Sequence, residues 1–497
     1  MTFLKRLLFG EILLLLMATH GMAADDVTTR AMKLYEKHRY EEAARLLRPA
    51  IGTLDKSRQG EANLALGMIY LASGVLYRDL YQSALVIEFD YLMQLRKQKT
   101  GTPSRYVDLY LGQVLLEAGN SAEAGSYLQK FTRQQDVPAT IKSLAAIELG
   151  SAYATQKQAG KARNEWSRAD KNQPEIKAAL AGAYAMAGIH EQKPVLMADA
   201  VLRDEKSAHH IPGMRMIRNL LRAYSYSGAT EKALDLLNQA ELADASFVED
   251  LGASKSISFY DSSLLGDLAK VHLQAAILYL ERASRDEKLG NTAAFYLATA
   301  YLQQGNPELS SRNSSNFLAQ SRIPQSYRVI ALINKASAQN MAGRHKEAGA
   351  EWLFIAEESA ADPSPLAVIL LACTQFGGDC TQFEKRALSG VAKGEGKKIF
   401  PLNAALGKYY LSQKKYPDAM LHLEAGRDKA NKNNIEINDP KMLVGLAEAG
   451  YRNKNFSENL EIYFELGKQY PAVRQIQDAI QGIYAMEQQS AGDVKIF

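Results

Sequence analysis

The chain has 497 residues, 47% hydrophobic and 23% charged, and its 59 lysines and arginines against 55 aspartates and glutamates leave a net charge of +4. This is the balance of an ordinary soluble protein, too small an excess to argue for nucleic acid as a partner on charge alone. The length exceeds what one compact core normally supports, a limit that a repeat architecture escapes.

At the N-terminus, Lys5 and Arg6 precede an apolar stretch from Leu7 to Ala18, followed by the small residues of Gly21-Met22-Ala23. That order of charge, apolar core and small residues predicts a secretory signal peptide over 1–23, cleaved near Ala23 or Ala24. An uninterrupted apolar run of seven residues, Ile12 to Ala18, is too short to span a bilayer. With no cysteine near the cleavage point, no lipoprotein anchor is expected. The predicted location is the periplasm or the exterior.

From residue 24 onward the pattern is helical throughout. Short signatures lie at Ala43 and Leu47, at Leu66-Gly67-x-x-Tyr70, and at Leu111-Gly112 with Ala124 and Leu128. The fullest is Leu149-Gly150-x-x-Tyr153, then Ala162, Trp166, Ala169 and Pro174. Gly150 and Ala162 suit a close crossing of two helices, where a larger side chain would push the backbones apart. Leu149, Tyr153 and Trp166 fill the space beside the crossing, and Pro174 marks the restart after the second helix. The register returns at Leu180, Ala181, Tyr184, Met197 and Ala200, and at Leu221, Tyr224, Ala233, Leu237 and Ala240.

Between 241 and 290 it breaks. Ser, Asp and Gly cluster around Gly252-Ala253-Ser254 and Tyr260-Asp261-Ser262-Ser263 ahead of an apolar helix from about Leu264 to Ala283. The pattern resumes at Leu297-Ala298-x-x-Tyr301 and at Ala348 with Trp352. It continues at Leu406, Gly407, Tyr410, Ala419 and Leu423, and at Leu446, Ala447, Tyr463, Leu466 and Pro471.

These residues, at these offsets, resemble the tetratricopeptide repeat (TPR) family. The resemblance implies an all-α fold, a right-handed α-solenoid of about twelve helical hairpins, some degenerate. Many intervals run to roughly 38–40 residues against the family's 34, so some helices or turns are expected to be longer. The predicted organisation is a signal peptide (1–23), an N-terminal array (24–240), an irregular break with a long helix (241–290), a C-terminal array with a capping helix (291–488) and a tail (489–497).

Cys373 and Cys380 are the only cysteines. Their spacing fits neither a C-x-x-C redox pair nor a zinc set, and after export they are expected to pair across the Gly377-Gly378 turn. By chain entropy a loop this short gains ~2–3 kcal/mol from closure.

Several apparent chemical signals fail on inspection. Gly394-Glu-Gly-Lys397-Lys398 lacks both the first glycine and the magnesium-binding hydroxyl of a phosphate loop. His209-His210 project about 100° apart on a helix and have no ligand cluster nearby, so no metal is expected. Asn313-Ser314-Ser315 matches a glycosylation sequon that matters only in a eukaryotic secretory pathway. Phe497 is preceded by too short a tract for a barrel strand. No convergent acid, base or nucleophile set is visible, so neither catalysis nor a cofactor is expected.

Arg215, Arg218 and Arg222 recur three and four apart and share one helix face. In the repeat register they face the concave side, with Ser225 and Tyr226 beside them. Three guanidiniums there suit carboxylates or phosphates in a ligand groove, and the competing reading pairs them with acids of neighbouring hairpins. Lys408, Lys441 and Arg452 fall at similar inward positions with Glu448 among them.

With the leader, the resemblance implies a periplasmic scaffold of the bacterial envelope that grips a protein or peptide partner, serving assembly or secretion. Two alternatives stand beside it. One is a helper of exopolysaccharide export that holds an anionic glycan along the Arg215 face. The other is an enzyme of the superhelical lytic transglycosylase type, for which the repeats leave no room.

Overall fold

The computed structural model describes residues 26–485, except 98–102, 136, 189–191, 208–213, 240–246, 251–255, 260–261, 360–361, 395–398, 428–438, 475 and 478. The leader, His209-His210, most of the Gly394–Lys398 stretch, Gly252-Ala253-Ser254 and the 489–497 tail lie outside the described residues. The rest is a run of helical hairpins.

Two compact units form, and neither is continuous in sequence: Met1–Asp79 with His272–Gln469, and Leu80–Val271 with Tyr470–Phe497. The two successive arrays expected at 24–240 and 291–488 are therefore not how the chain groups. Two of the three boundaries fall inside helices, namely α3 (Lys56–Lys97) and, after the β-hairpin, α12 (Ser263–Ala283), and the third follows the helix that ends at Gln469.

In the first unit, α1 (Val27–Glu36) and α2 (Tyr40–Leu47) form a hairpin, followed by a 3-10 turn (Arg48–Thr53) and the start of α3. After α12 come five further hairpins: α13 (Gly290–Gln304) with α14 (Pro307–Leu318), α15 (Gln325–Met341) with α16 (His345–Glu358), α17 (Pro363–Phe376) with α18 (Thr381–Lys393), α19 (Phe400–Ser412) with α20 (Tyr416–Gly426), and α21 (Pro440–Arg452) with α22 (Phe456–Gln469).

The second unit holds the end of α3 and four hairpins: α4 (Pro103–Glu117) with α5 (Ser121–Thr132), α6 (Ala139–Thr155) with α7 (Ala159–Ser167), α8 (Pro174–Met186) with α9 (Lys193–Ser207), and α10 (Met214–Tyr226) with α11 (Thr230–Gln239). It also holds an antiparallel ribbon, β1 (Phe247–Asp250) and β2 (Ser256–Phe259), pairing Phe247 with Phe259. The ribbon falls within the irregular break at 241–290, for which the sequence reading predicts no strand.

The hairpins close as the signature requires. Gly112 lies on Leu128, Gly150 on Trp166 and Gly407 on Leu423, each sixteen positions on. A Cβ on Gly150 would come within 2.6 Å of Trp166 Cδ1, so only glycine admits this approach. The Trp166 indole also donates to the Ile147 carbonyl at 3.1 Å. Leu149, Ala162, Trp166, Ala169 and Ala419 are buried, as is Tyr410, while Tyr153 is half-buried beneath Lys161. Pro174 opens α8 at its first turn, where its missing N–H costs nothing.

Leu66-Gly67-x-x-Tyr70 is a correction. It sits inside the 42-residue α3, which does not turn back. The helix that should cross Gly67 comes from α12: in the first unit Gly67 and Gly74 lie on Leu280 and Leu273, and Ser73 Oγ bonds His272 Nδ1 at 2.8 Å across 199 residues. Tyr70 stacks on Tyr279 with ring centroids 5.7 Å apart. Burial lowers the His272 pKa to about 4, so this contact forms with a neutral imidazole.

Between paired helices the chain repeatedly enters the left-handed region. Gly119, Gly188, Gly228, Gly305 and Gly343 do so at positive φ, but the equivalent turns of other hairpins carry His38, Lys157, Lys414 and Lys454 at φ 59–61°. A side chain there clashes with the following carbonyl. Combining Lys157→Gly, Lys414→Gly and Lys454→Gly is therefore expected to stabilise the protein by ~0.5–1 kcal/mol per site. Chemical denaturation would show it as a higher midpoint, and an unchanged or lower midpoint would refute the strain.

Candidate functional site

The arginine face of α10 is the feature the sequence singled out, and the second unit closes over it. Arg218 and Arg222 are only 3% and 4% exposed. Arg222 Nε donates to Asp267 Oδ2 of α12 at 2.8 Å, and its Nη2 pairs with Glu117 of α4. Arg218 Nη1 donates to Ser263 Oγ at 3.0 Å, and its Nη2 lies 3.9 Å from Glu148 of α6. Arg215 reaches Glu175 of α8 and the Tyr110 hydroxyl, each at 3.4 Å. Ser225 is buried with its Oγ on the Arg222 carbonyl at 3.5 Å. Tyr226 is exposed at its edge and covered by Lys270, whose Nζ is 3.2 Å from the ring centroid.

The three arginines do share one inward face, but they are not a ligand groove. Acids of the same unit occupy the positions a ligand would need, so the ion pairs match the competing reading of the sequence in place of the open groove. The register explains why: Tyr110 and Glu117 on α4 are seven residues apart, as are their partners Arg215 and Arg222 on α10. Two full turns on each helix thus match in step. That spacing was present in the sequence. What was absent was any sign that α4 and α10, three hairpins apart, face each other.

Burial lowers the Arg218 pKa to about 10, with the Arg222 charge adding to the effect. Burial acts against the charged form of Arg222 too, but Asp267 and Glu117 outweigh it and hold that guanidinium charged. Burial raises Asp267 to about 6 although Arg222 opposes it. Tyr81 of α3 donates to Glu117 Oε2 at 3.0 Å, and burial and that carboxylate keep the phenol protonated.

Beside this network is Glu88 of α3, 5% exposed, with Oε2 accepting from the Ser262 backbone N–H at 2.8 Å. Two cavities flank it, each with room for about one water. One is polar, between Glu88, Gln113, Glu117, Glu148, Arg218 and Ser262. The other is lined by Ala84, Ile87, Leu265, Ile476 and Ala479 beside Glu88 and Ser262. Neither is large enough for a substrate. Among the described residues no group of three or more His, Cys, Asp or Glu is placed to hold a metal.

Elsewhere in the first unit, Cys373 and Cys380 are joined in a disulfide with Cα atoms 5.8 Å apart. Asn340 of α15 braces the turn, donating to the carbonyls of Phe376 and Gly377 at 2.8 and 2.7 Å. Lys408 pairs with Asp79 at 3.0 Å, so that inward position is also engaged. Asn313 is 9% exposed and donates to the Leu309 carbonyl, which leaves the sequon inaccessible.

No family model and no curated protein sequence matches this chain. Solved structures do. The chain is similar to yeast Tom70 at 12% identity, covering 94% of this chain and 95% of that one, with a TM-score of 0.31. It is similar to the APC/C hetero-tetramer Cut9–Hcn1 at 12% identity over 94% and 98%, TM-score 0.28. Maize PPR10, a pentatricopeptide repeat protein, is similar at 16% identity over 96% and 72%, TM-score 0.26. On its own hairpin geometry, the chain is a TPR-like repeat protein in fold. No helix among the described residues is long and apolar enough to cross a membrane.

Proposed function

We propose that this TPR-like protein is an exported, non-catalytic scaffold that holds a protein partner during cell-envelope assembly or secretion. The observation that carries this reading is the repeated crossing of glycine on leucine or tryptophan in both units. Such repeats spend their sequence on building surface, and the cavities beside the arginine network admit only water. Export is supported by the residue pattern of 1–23 and by the disulfide, a bond at home in oxidising compartments. The anionic-glycan alternative has lost the residues that carried it, because Arg218 and Arg222 are engaged within their own unit.

The test is in-cell crosslinking of the tagged full-length chain followed by affinity purification, beside a chain lacking residues 1–23. A specific protein should co-purify with the full-length form, and its cysteines should resist alkylation until reduced. Without the leader, both properties should disappear. Freely alkylated thiols in the full-length chain would refute export, and the absence of any enriched protein would refute the scaffold.

A further inference from the structure

Among the described residues, and with Arg215 and Glu175 set aside as a pair of their own, the charges around α10 do not balance. Four carboxylates meet in the second unit: Glu88 from α3, Glu117 from α4, Glu148 from α6 and Asp267 from α12. Facing them are Arg218 and Arg222 from α10, and Lys270 of α12 acts on Asp267 from over Tyr226. Even counting Lys270 there are three cations for four acids among the described residues, and a buried surplus charge is more costly than a bound proton. Glu88 is where the proton belongs. Its hydrogen bond is to one backbone N–H, it shares the polar cavity with Glu117 and Glu148, and Ala84, Ile87, Leu265, Ile476 and Ala479 line its other side.

The apolar side is closed by the 470–485 segment, which belongs to the second unit although it follows the first in sequence. Its Ile476 and Ala479 line the cavity at Glu88, and Gly482 packs against Tyr91 of α3. We propose that Glu88 is a proton-operated latch: protonated, it lets the 470–485 segment close over α3, and ionised, it draws water in and releases that segment. The proton passes to bulk water, and the carboxylate gains hydration by displacing Ile476 and Ala479.

Burial is the largest influence on Glu88 and raises its pKa to about 8, with the Ser262 hydrogen bond opposing and the Glu117 charge reinforcing. The sign follows from linkage. An acid whose folded pKa is raised contributes stability below its unfolded range, and that stability is lost as pH rises through about 8. The latch should therefore hold in neutral and mildly acidic conditions and open in alkaline ones.

Hydrogen exchange of the full chain, corrected for intrinsic amide chemistry, reads the opening directly. The opening constant of 470–485 should rise up to about tenfold per pH unit from pH 6 to 8, the slope of one linked proton. Glu88→Gln and Glu88→Leu, neither of which titrates, should flatten that slope. Leucine covers the case in which the amide finds no partner and the glutamine variant misfolds. Infrared difference spectra, wild type minus either variant, should show one protonated carboxyl that is lost as pH rises through about 8, while the bands of Glu41 and Asp267 cancel because all the proteins keep them. A flat wild-type profile, or variants with the wild-type slope, would overturn the proposal.

Discussion

Leucine at both Gly67 and Gly74 is expected to destabilise the first unit by about 3 kcal/mol or more, the upper range for overpacked cores. A Cβ on Gly74 would sit 2.9 Å from Leu273 Cγ and 3.0 Å from its backbone nitrogen, and one on Gly67 would meet Leu280 and lie 3.2 Å from its backbone nitrogen. With backbone in the way, rotamer changes alone cannot relieve the contact. Gly349→Ala in α16 is the matched control, since a Cβ there meets nothing within 4 Å. That variant should be unchanged or more stable by up to ~1 kcal/mol through helix propensity. If the double leucine variant melts with the wild type in urea, α3 and α12 do not pack as described.

Arg222→Met should cost about 3–5 kcal/mol, because it leaves Asp267 and Glu117 buried without their cation. Methionine fills much of the same volume, so the loss reflects charge more than a cavity. The pH dependence separates the two. Without Arg222 the Asp267 carboxyl takes up its proton at a higher pH than the wild type's value of about 6, so the gap between variant and wild type should narrow as pH falls toward about 6. A gap independent of pH would point to packing instead. Adding Asp267→Leu to Arg222→Met should recover part of the loss, as apolar replacements of buried ion pairs commonly do.

Local chemistry was legible in the sequence and long-range pairing was not. Leu149, Gly150, Ala162 and Trp166 specify their own crossing because both helices lie within one short window. The apolar run from Leu264 to Ala283 likewise announces α12 almost to its ends. Leu66-Gly67-x-x-Tyr70 has the same local pattern, yet its crossing helix lies on the far side of the inserted residues. Nothing within that window distinguishes the two cases. The α10 arginines show the same limit: their common face follows from helical spacing, but Glu117, Glu148 and Asp267 lie scattered over 151 positions. The disulfide was legible because its loop is short.

The interleaving of the two units has a consequence for the order in which the protein is made. Ribosomes deliver the chain from its N-terminus, so the glycines of α3 emerge long before Leu273 and Leu280 exist to cover them. Neither unit is complete until its second piece arrives, and residues 470–485 are the last to be placed. Folding must therefore wait for nearly the whole polypeptide, with apolar helix faces exposed meanwhile and many contacts between distant residues to close. Such an order of assembly fits the export proposed above, with the chain crossing unfolded and assembling on the far side.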